Sequence, residues 1–322
     1  MKRWLDKAEV VLGNHSDRLN AINIFPVADG DTGTNLYLTV CAGARAARAA
    51  DTADLGELLT SAGRAAMEDA RGNSGTLFAV FLSALAEPLH GTTRLTARLL
   101  ASSLHRAQLR SWSALSDPVP GTMLSVLEAA AGAAADTAGQ FASDESNNAL
   151  ALTLQAMVQS ALEAVVNTES QLGPLTEAKI VDAGGVGLLL ILDALRAASL
   201  GEELQHELLD GLHGYDIQSP HIHAGADAEG VEIMCTINLS PLDAATLRLH
   251  LDEVGESVIM SAVSPVDEGY RWRVHVHAAD PGPAMEYINA AGSPVNVAIT
   301  RLSSPATSLL TVSAGMPEGN GH

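Results

Sequence analysis

Up to about residue 200 the chain is written at helical spacing, and beyond residue 229 it switches to the alternation of strands. That change of period limits the possible folds more than any other feature. Segments such as LGELLTSAGRAAMEDA, LTARLLASSLHRAQLRSWSAL and NNALALTLQAMVQSALEAVV repeat apolar residues every three or four positions over several turns. Counting such stretches between Gly, Pro and Ser/Asp breaks gives roughly eight helices over residues 1–200, a bundle or barrel. Residues 201–228 are polar, with Gly and Pro, and read as a linker. VEIMCTINL then reads as a strand, and SPLDAATLRLHLDEVGES as a helix capped by Ser240 with Pro241 at its first position. VIMSAV and YRWRVHVHA are further strands, GPAMEYINAAG a helix and VNVAITRL a last strand. This βαββαβ order is the ferredoxin-like pattern. The expected class is therefore α+β and multidomain: an all-α eight-helix barrel, a small α/β domain over 229–303, and a loose tail from 304 to 322.

Composition narrows the function. Hydrophobic residues make up 47% of the chain and aromatics only 3%, so the cores are built from Ala, Leu and Val. A formal net charge of -20 repels phosphate backbones and anionic lipid, which argues against nucleic acid or a membrane surface as partner. No apolar run reaches the ~18 residues of a membrane span, and the charged start MKRWLDKAEV lacks an apolar signal region. Cys41 and Cys235, far apart, suit a reducing compartment, so a cytoplasmic protein is expected. At this charge, a phosphorylated ligand needs metal ions or backbone amides to hold it.

Four glycine-bearing stretches punctuate the helical half: FPVADGDTGTN, ARGNSGT, DPVPGTM and VDAGGVG. Each lies just before a helical run, which leaves free backbone N–H groups and the positive end of a helix dipole at the loop. Anions bind there readily. Taken singly, each stretch is also ordinary turn composition; four in one helical half can share a rim. Asp29 and Asp31 alternate along an extended loop with Gly30 permitting the bend, so both can address one hard cation.

NAINIFPVADGDTGTNLYLTV, ARGNSGTLFAVFL, PVPGTMLSVLEAA and KIVDAGGVGLLLILDAL resemble four consecutive signatures of the kinase domain of the fatty acid kinase family, itself similar to the nucleotide-binding part of dihydroxyacetone kinase. The resemblance implies an eight-helix barrel binding ATP at one rim through two Mg²⁺ ions. It places the metal-binding acids at Asp29 and Asp31, with Asn23 in the position of a further carboxylate. Thr32, Gly33, Thr34 and Asn35 resemble the turn that meets the phosphates. Asn73, Ser74 and Gly75 resemble the loop cradling the β-phosphate, with Thr76 opening the next helix. Gly121, Thr122 and Met123 resemble the adenine-side contacts, and Asp182, Ala183, Gly184 and Gly185 the loop closing over the nucleotide.

The family continues into a further C-terminal domain where this sequence ends, so the acceptor is expected on a separate carrier of the fatty acid-binding type. A carboxylate acceptor is already ionised at neutral pH, whereas a hydroxyl usually wants a general base. His15 is the nearest candidate base by sequence, its other reading being a solvent-facing helix cap. The resemblance implies acyl phosphate formation. A dihydroxyacetone-type kinase and a nucleotide-binding adaptor without transfer remain the alternatives, and a homodimer through an apolar edge of the second domain is a further expectation.

RVHVHAADPG and EIMCTINL resemble the middle domain of the same family, which holds zinc on a Cys and a His-x-His pair. That maps a structural Zn²⁺ onto Cys235, His275 and His277, with His221 and His223 as a source of a further ligand or simply part of the linker. Residues two apart on a strand share a face, so the His pair can chelate one ion. Parity opposes the full set: Cys235 falls in register with Val231, Ile233, Ile237 and Leu239, and the histidines with Arg271 and Arg273. A bulge would reconcile them; otherwise Cys235 is a core thiol and the His pair faces solvent or a partner.

Overall fold

The computed structural model describes residues 1–141, 145–215, 230–266 and 269–301. Helices α1 (Lys2–Ala21), α2 (Thr32–Ala49), α3 (Leu55–Glu68), α4 (Gly72–Ala86), α5 (Ala97–Ala114), α6 (Met123–Gln140), α7 (Asn147–Gln171), α8 (Gly173–Ala178) and α9 (Ala183–Leu200) make up the first half. Eight of them have fourteen residues or more, in line with the count of helical stretches, and α8 is a six-residue addition. Side-chain caps set several starts. Asp54, Thr96, Thr122, Ser146 and Asp182 each accept a hydrogen bond from a backbone N–H in the first turn that follows.

From α1 to α7 each helix packs on the next, and α9 packs on both α7 and α1, closing the ring. Helices α4 and α9 are apolar on nearly every side and buried along most of their length, as inner helices must be. By length and composition α7 and α9 could cross a membrane, but 83% of the apolar window of α9 is buried inside the protein. Its greasiness is that of a core helix. At the end of α9 the buried Arg196 donates to Asp193, Glu202 and the Glu203 carbonyl, and Asp193 also accepts from the Gln205 N–H. This network ties down the segment expected to be a linker. Leu208, Leu209, Leu212 and Tyr215 of that segment join the helical core. His221, His223 and the tail from 304 lie outside the described residues.

The second half runs β1 (Val231–Leu239), α10 (Pro241–Val254), β2 (Glu256–Val266), β3 (Gly269–Ala278), α11 (Pro281–Ala291) and β4 (Val295–Arg301). The strands form one sheet in the order β2-β3-β1-β4, each pair antiparallel, which is the ferredoxin-like arrangement. Helices α10 and α11 cover one face, where Ile233, Cys235, Ile237, Val274 and Val276 pack with Leu247, Leu251 and Ile288. The opposite face lies on the rim of the helical ring. There Ile259 joins the helical core and pairs with Leu115, Arg273 donates to the Ala70 carbonyl (3.1 Å), and Arg248 donates to the Ala114 carbonyl (3.1 Å).

Gly33, at the start of α2, lies against α1, and a Cβ there would run into the Ser16 carbonyl oxygen. Backbone cannot give way as a flexible side chain can, so Gly33→Ala should destabilise the fold by ~1–3 kcal/mol through overpacking. A lowered midpoint in thermal unfolding checks this.

Candidate nucleotide and metal site

The four glycine-bearing loops converge. Thr32 at the start of α2, Asn73 and Ser74 at the start of α4, Thr122 and Met123 at the start of α6, and Asp182 and Gly184 at the start of α9 all line one cavity of about 730 Å³. Four helix N-termini thus point their dipoles and free N–H groups into a single space. The Asn73 Oδ1 is buried there without a hydrogen-bond partner among the described residues. Phe25, Leu77, Leu115, Val119 and Met123 make part of the wall apolar. The sheet half contributes a further wall through Asp252, Gly255, Glu256 and Ser257, which the sequence reading missed.

A narrow extension of about 20 Å³ is lined by Asn23, Asp29, Asp31, Thr32, Gly72, Asn73, Ser74 and His277. Gly30 takes a left-handed conformation (φ +65°), which makes the turn between the two aspartates. The Asn23 amide donates to Asp29 Oδ1 at 2.6 Å, so this residue orients one of the acids. Burial, then the charge of Asp31, pushes the Asp29 carboxyl up to about 8. Neither cavity has a Lys or Arg among its lining residues, while Asp117, Asp182, Asp252 and Glu256 add negative charge. Two adjacent buried carboxylates without a side-chain cation suit a hard divalent ion, and the donor set is that of Mg²⁺.

Other residues of the predicted set serve the scaffold. The Thr34 N–H and hydroxyl are both engaged by the Asn20 side chain. Asn35 is buried beneath Gly72, Gly75 packs against Thr39 and the Asn35 carbonyl, and the Thr76 hydroxyl donates back to the Gly72 carbonyl (2.8 Å). Gly121 turns with φ +83° and its N–H donates to Ser125 Oγ. Asp182 accepts from the Gly185 N–H (2.6 Å) and from the Met123 backbone, linking the starts of α9 and α6; burial raises its carboxyl to about 6 against those two bonds. Ala183 and Gly185 are buried beside it. His15 lies within α1, its Nδ1 2.6 Å from the Tyr215 hydroxyl, and lines neither cavity.

On the sheet, β1 and β3 are neighbours in unbroken register, and the zinc set of Cys235, His275 and His277 does not assemble. Cys235 pairs with Val274 and belongs to the core under α10 and α11. A register shift between Met234 and Thr236 exists only toward β4, and it does not turn Cys235 to the other side. His275 and His277 stand on the opposite face, but not in solvent: they are 0% and 3% exposed, pressed against the helical rim. Glu232, opposite His277 on β1, joins them, and the ligand atoms of the three lie within 4.8 Å of one another. Glu232 also accepts the Gly72 backbone N–H, and burial followed by the charge of Asp31 raises its carboxyl to about 7. Parity along β1 was the signal that could have found it.

A closed helical ring with an anion-receptive rim, roofed by a ferredoxin-like sheet, defines the class. The DAK2 domain profile matches residues 26–197, and the profile of the fatty acid kinase-like (FakA-like) middle domain matches residues 230–308. The chain belongs to the DAK2-domain family, in the FakA-like arrangement of the fatty acid kinases. It is 29% identical to Protein YloV of Bacillus subtilis (strain 168) over 313 residues, 93% of this chain and 54% of that protein. It is 26% identical over 300 residues to Uncharacterized protein SAB1090 of Staphylococcus aureus (strain bovine RF122 / ET3-1), 90% of this chain and 53% of that one. The chain spans about half the length of the curated relatives it matches. Among solved structures, the dihydroxyacetone kinase from C. freundii in complex with AMP-PNP and Mg²⁺ aligns with a TM-score of 0.43 and 20% identity, over 61% of this chain and 33% of that one.

Asp29, Glu232 and Asp182 all have carboxyls raised above their unfolded values. Such groups add stability below the unfolded pKa and lose it as pH rises through the folded one. The metal-free protein should therefore lose thermal stability from about pH 4 to about pH 8, with Asp29 the last of the three to ionise. In chelator, Asp29→Asn should remove the part of the decline above about pH 7, and Mg²⁺ should restore the wild-type midpoint there. An unchanged decline in the variant would show that Asp29 is not the group responsible.

Proposed function

We propose that the chain is an ATP- and Mg²⁺-dependent phosphotransferase acting on a carboxylate, a fatty acid presented by a separate carrier protein, with acyl phosphate as product. The observation that carries this reading is the convergence of four helix N-termini on one cavity beside a buried acid pair, with no basic side chain in the lining. A space of about 730 Å³ lies within the range of small-molecule sites. Its apolar wall, with Val119, Thr122 and Met123, suits a purine, and Thr32, Asn73 and Ser74 suit phosphates.

Asp29 and Asp31 would hold the two Mg²⁺ ions, with Asn23 orienting Asp29. Bound there, Mg²⁺ supplies the positive charge that offsets the phosphate oxygens of the nucleotide. Helix N-termini and the Asn73 and Ser74 loop position the chain of phosphates, and the sheet residues Glu256 and Ser257 narrow the opening to water. In the transfer, a carboxylate oxygen of the acceptor forms a bond to the γ-phosphorus as the bond to the β,γ-bridging oxygen breaks, and ADP leaves. An ionised acceptor needs no proton removed. The acceptor class rests on the match of residues 230–308 to the fatty acid kinase-like middle domain. The carrier extends the same reading, and a cytoplasmic setting is supported by the free thiols Cys41 and Cys235. The exposed Val295, Val297 and Ile299 on edge strand β4 support association of two copies.

Asp31→Ala should lower ATP-dependent phosphorylation of a carrier-bound fatty acid by about a hundredfold or more while the thermal midpoint stays within a few degrees. Turnover at the wild-type rate would overturn the proposed role. Labelled ATP offered with dihydroxyacetone instead separates the acceptor classes. Mg²⁺-dependent ATP binding without transfer to either acceptor would make the chain a nucleotide-binding adaptor.

A further inference from the structure

The family resemblance implies a metal on the second half, yet the thiolate it calls for is on the wrong face of the sheet. What the structure assembles instead is Glu232 with His275 and His277. Three features set this group apart from an ordinary pair of core histidines. Both ring nitrogens of His275 and the Nδ1 of His277 are buried with no hydrogen-bond partner among the described residues. Each such orphan carries its full desolvation cost unless something takes its lone pair or proton. The nearest approach, His275 Nδ1 to Glu232 Oε1 at 3.3 Å, is an ion-pair distance without hydrogen-bond geometry. The third feature is spacing. Ligand atoms around a tetrahedral ion with bonds of about 2.1 Å lie roughly 3.4 Å apart, and these three lie within 4.8 Å of one another on adjacent strands. Small side-chain rotations close that gap.

We propose that Glu232, His275 and His277 form a two-imidazole, one-carboxylate centre for a zinc-class divalent cation, with Glu232 rather than Cys235 as the third protein ligand. Imidazole nitrogens favour zinc and other first-row ions over Mg²⁺, which prefers an all-oxygen set. The centre is therefore chemically distinct from Asp29 and Asp31, though His277 lines the same narrow extension as those acids. Its place is the seam between the two halves. Glu232 accepts the N–H of Gly72, the first residue of α4, and Asn73 and Ser74 follow at once. A bound ion fixes the sheet against the loop that faces the cavity. It acts by positioning, and its existence does not depend on which acceptor the site serves.

The test uses tag-free full-length protein stripped with chelator and titrated with Zn²⁺, with elemental analysis for stoichiometry. One equivalent should bind to the wild type and to Cys235→Ala. Glu232→Ala and His277→Ala should bind at least about tenfold more weakly. Loss of the ion in Cys235→Ala with retention in Glu232→Ala overturns the assignment, as does a wild type that takes up no zinc. Cobalt substitution of the unmutated protein gives an independent readout should a variant fail to fold. A nitrogen-and-oxygen centre shows visible ligand-field bands without the ultraviolet thiolate-to-cobalt band, and the presence of that band overturns the proposal.

Discussion

A protein of net charge -20 that buries two carboxylates side by side has to find positive charge outside its own side chains. Nothing basic lines either cavity, and the Asn23 amide satisfies only one oxygen of Asp29. The cost of holding Asp29 ionised falls on the fold, which is why its carboxyl stays protonated to about pH 8. Helix N-termini ease such a site without adding formal charge, and the ring geometry brings four of them to it. The rest of the architecture follows from that placement. Glycines let α2 approach α1 and let α4 approach α2, so the starts of these helices come to the same rim.

Close helix packing and anion binding draw on the same residues here. Gly33 and Gly75 have the composition of a phosphate loop, but each is small because a neighbouring backbone or side chain occupies the place of its Cβ. Thr34 is satisfied by Asn20 and Thr76 by its own helix, so neither hydroxyl is aimed at the cavity. Asn73, Ser74, Thr122 and Asp182 are the polar positions of these loops that reach it. A loop motif read along the chain mixes residues that shape the cavity wall with residues that allow the wall to exist. Only the packing separates them.

What could be read in the sequence divides along the same line. The helical half was legible because apolar residues recur at one period over many turns, and caps such as Thr96 and Ser146 mark its breaks. The strand order was legible because Ser240-Pro241 and the glycines punctuate short alternating runs. Strand parity alone already set Cys235 apart from His275 and His277. The same parity puts Glu232 with Met234 and Thr236 on the histidine face, and the register confirms that it meets His277. What parity cannot show is that this polar face is covered. Burial of His275, and the wall that Glu256 and Ser257 add to the cavity, come from docking one half of the molecule on the other. Contacts between segments some two hundred residues apart leave no local period.

Gly72 shows how tightly that docking is tied to the rim. Its φ of +59° is a conformation that side chains rarely adopt, and a Cβ there would strike the Asn35 amide. One side of this residue therefore belongs to the packing of α2 on α4. On its other side the N–H goes to Glu232 of the sheet, and the adjoining Ala70 carbonyl accepts from Arg273. Shifting the sheet would pull on the peptide that leads into Asn73 and Ser74, and distorting α2 would pull on it from below. The loop facing the cavity is thus held by both halves of the protein at one glycine, so the geometry of the proposed phosphate contacts is a property of the assembled chain and not of the helical ring alone.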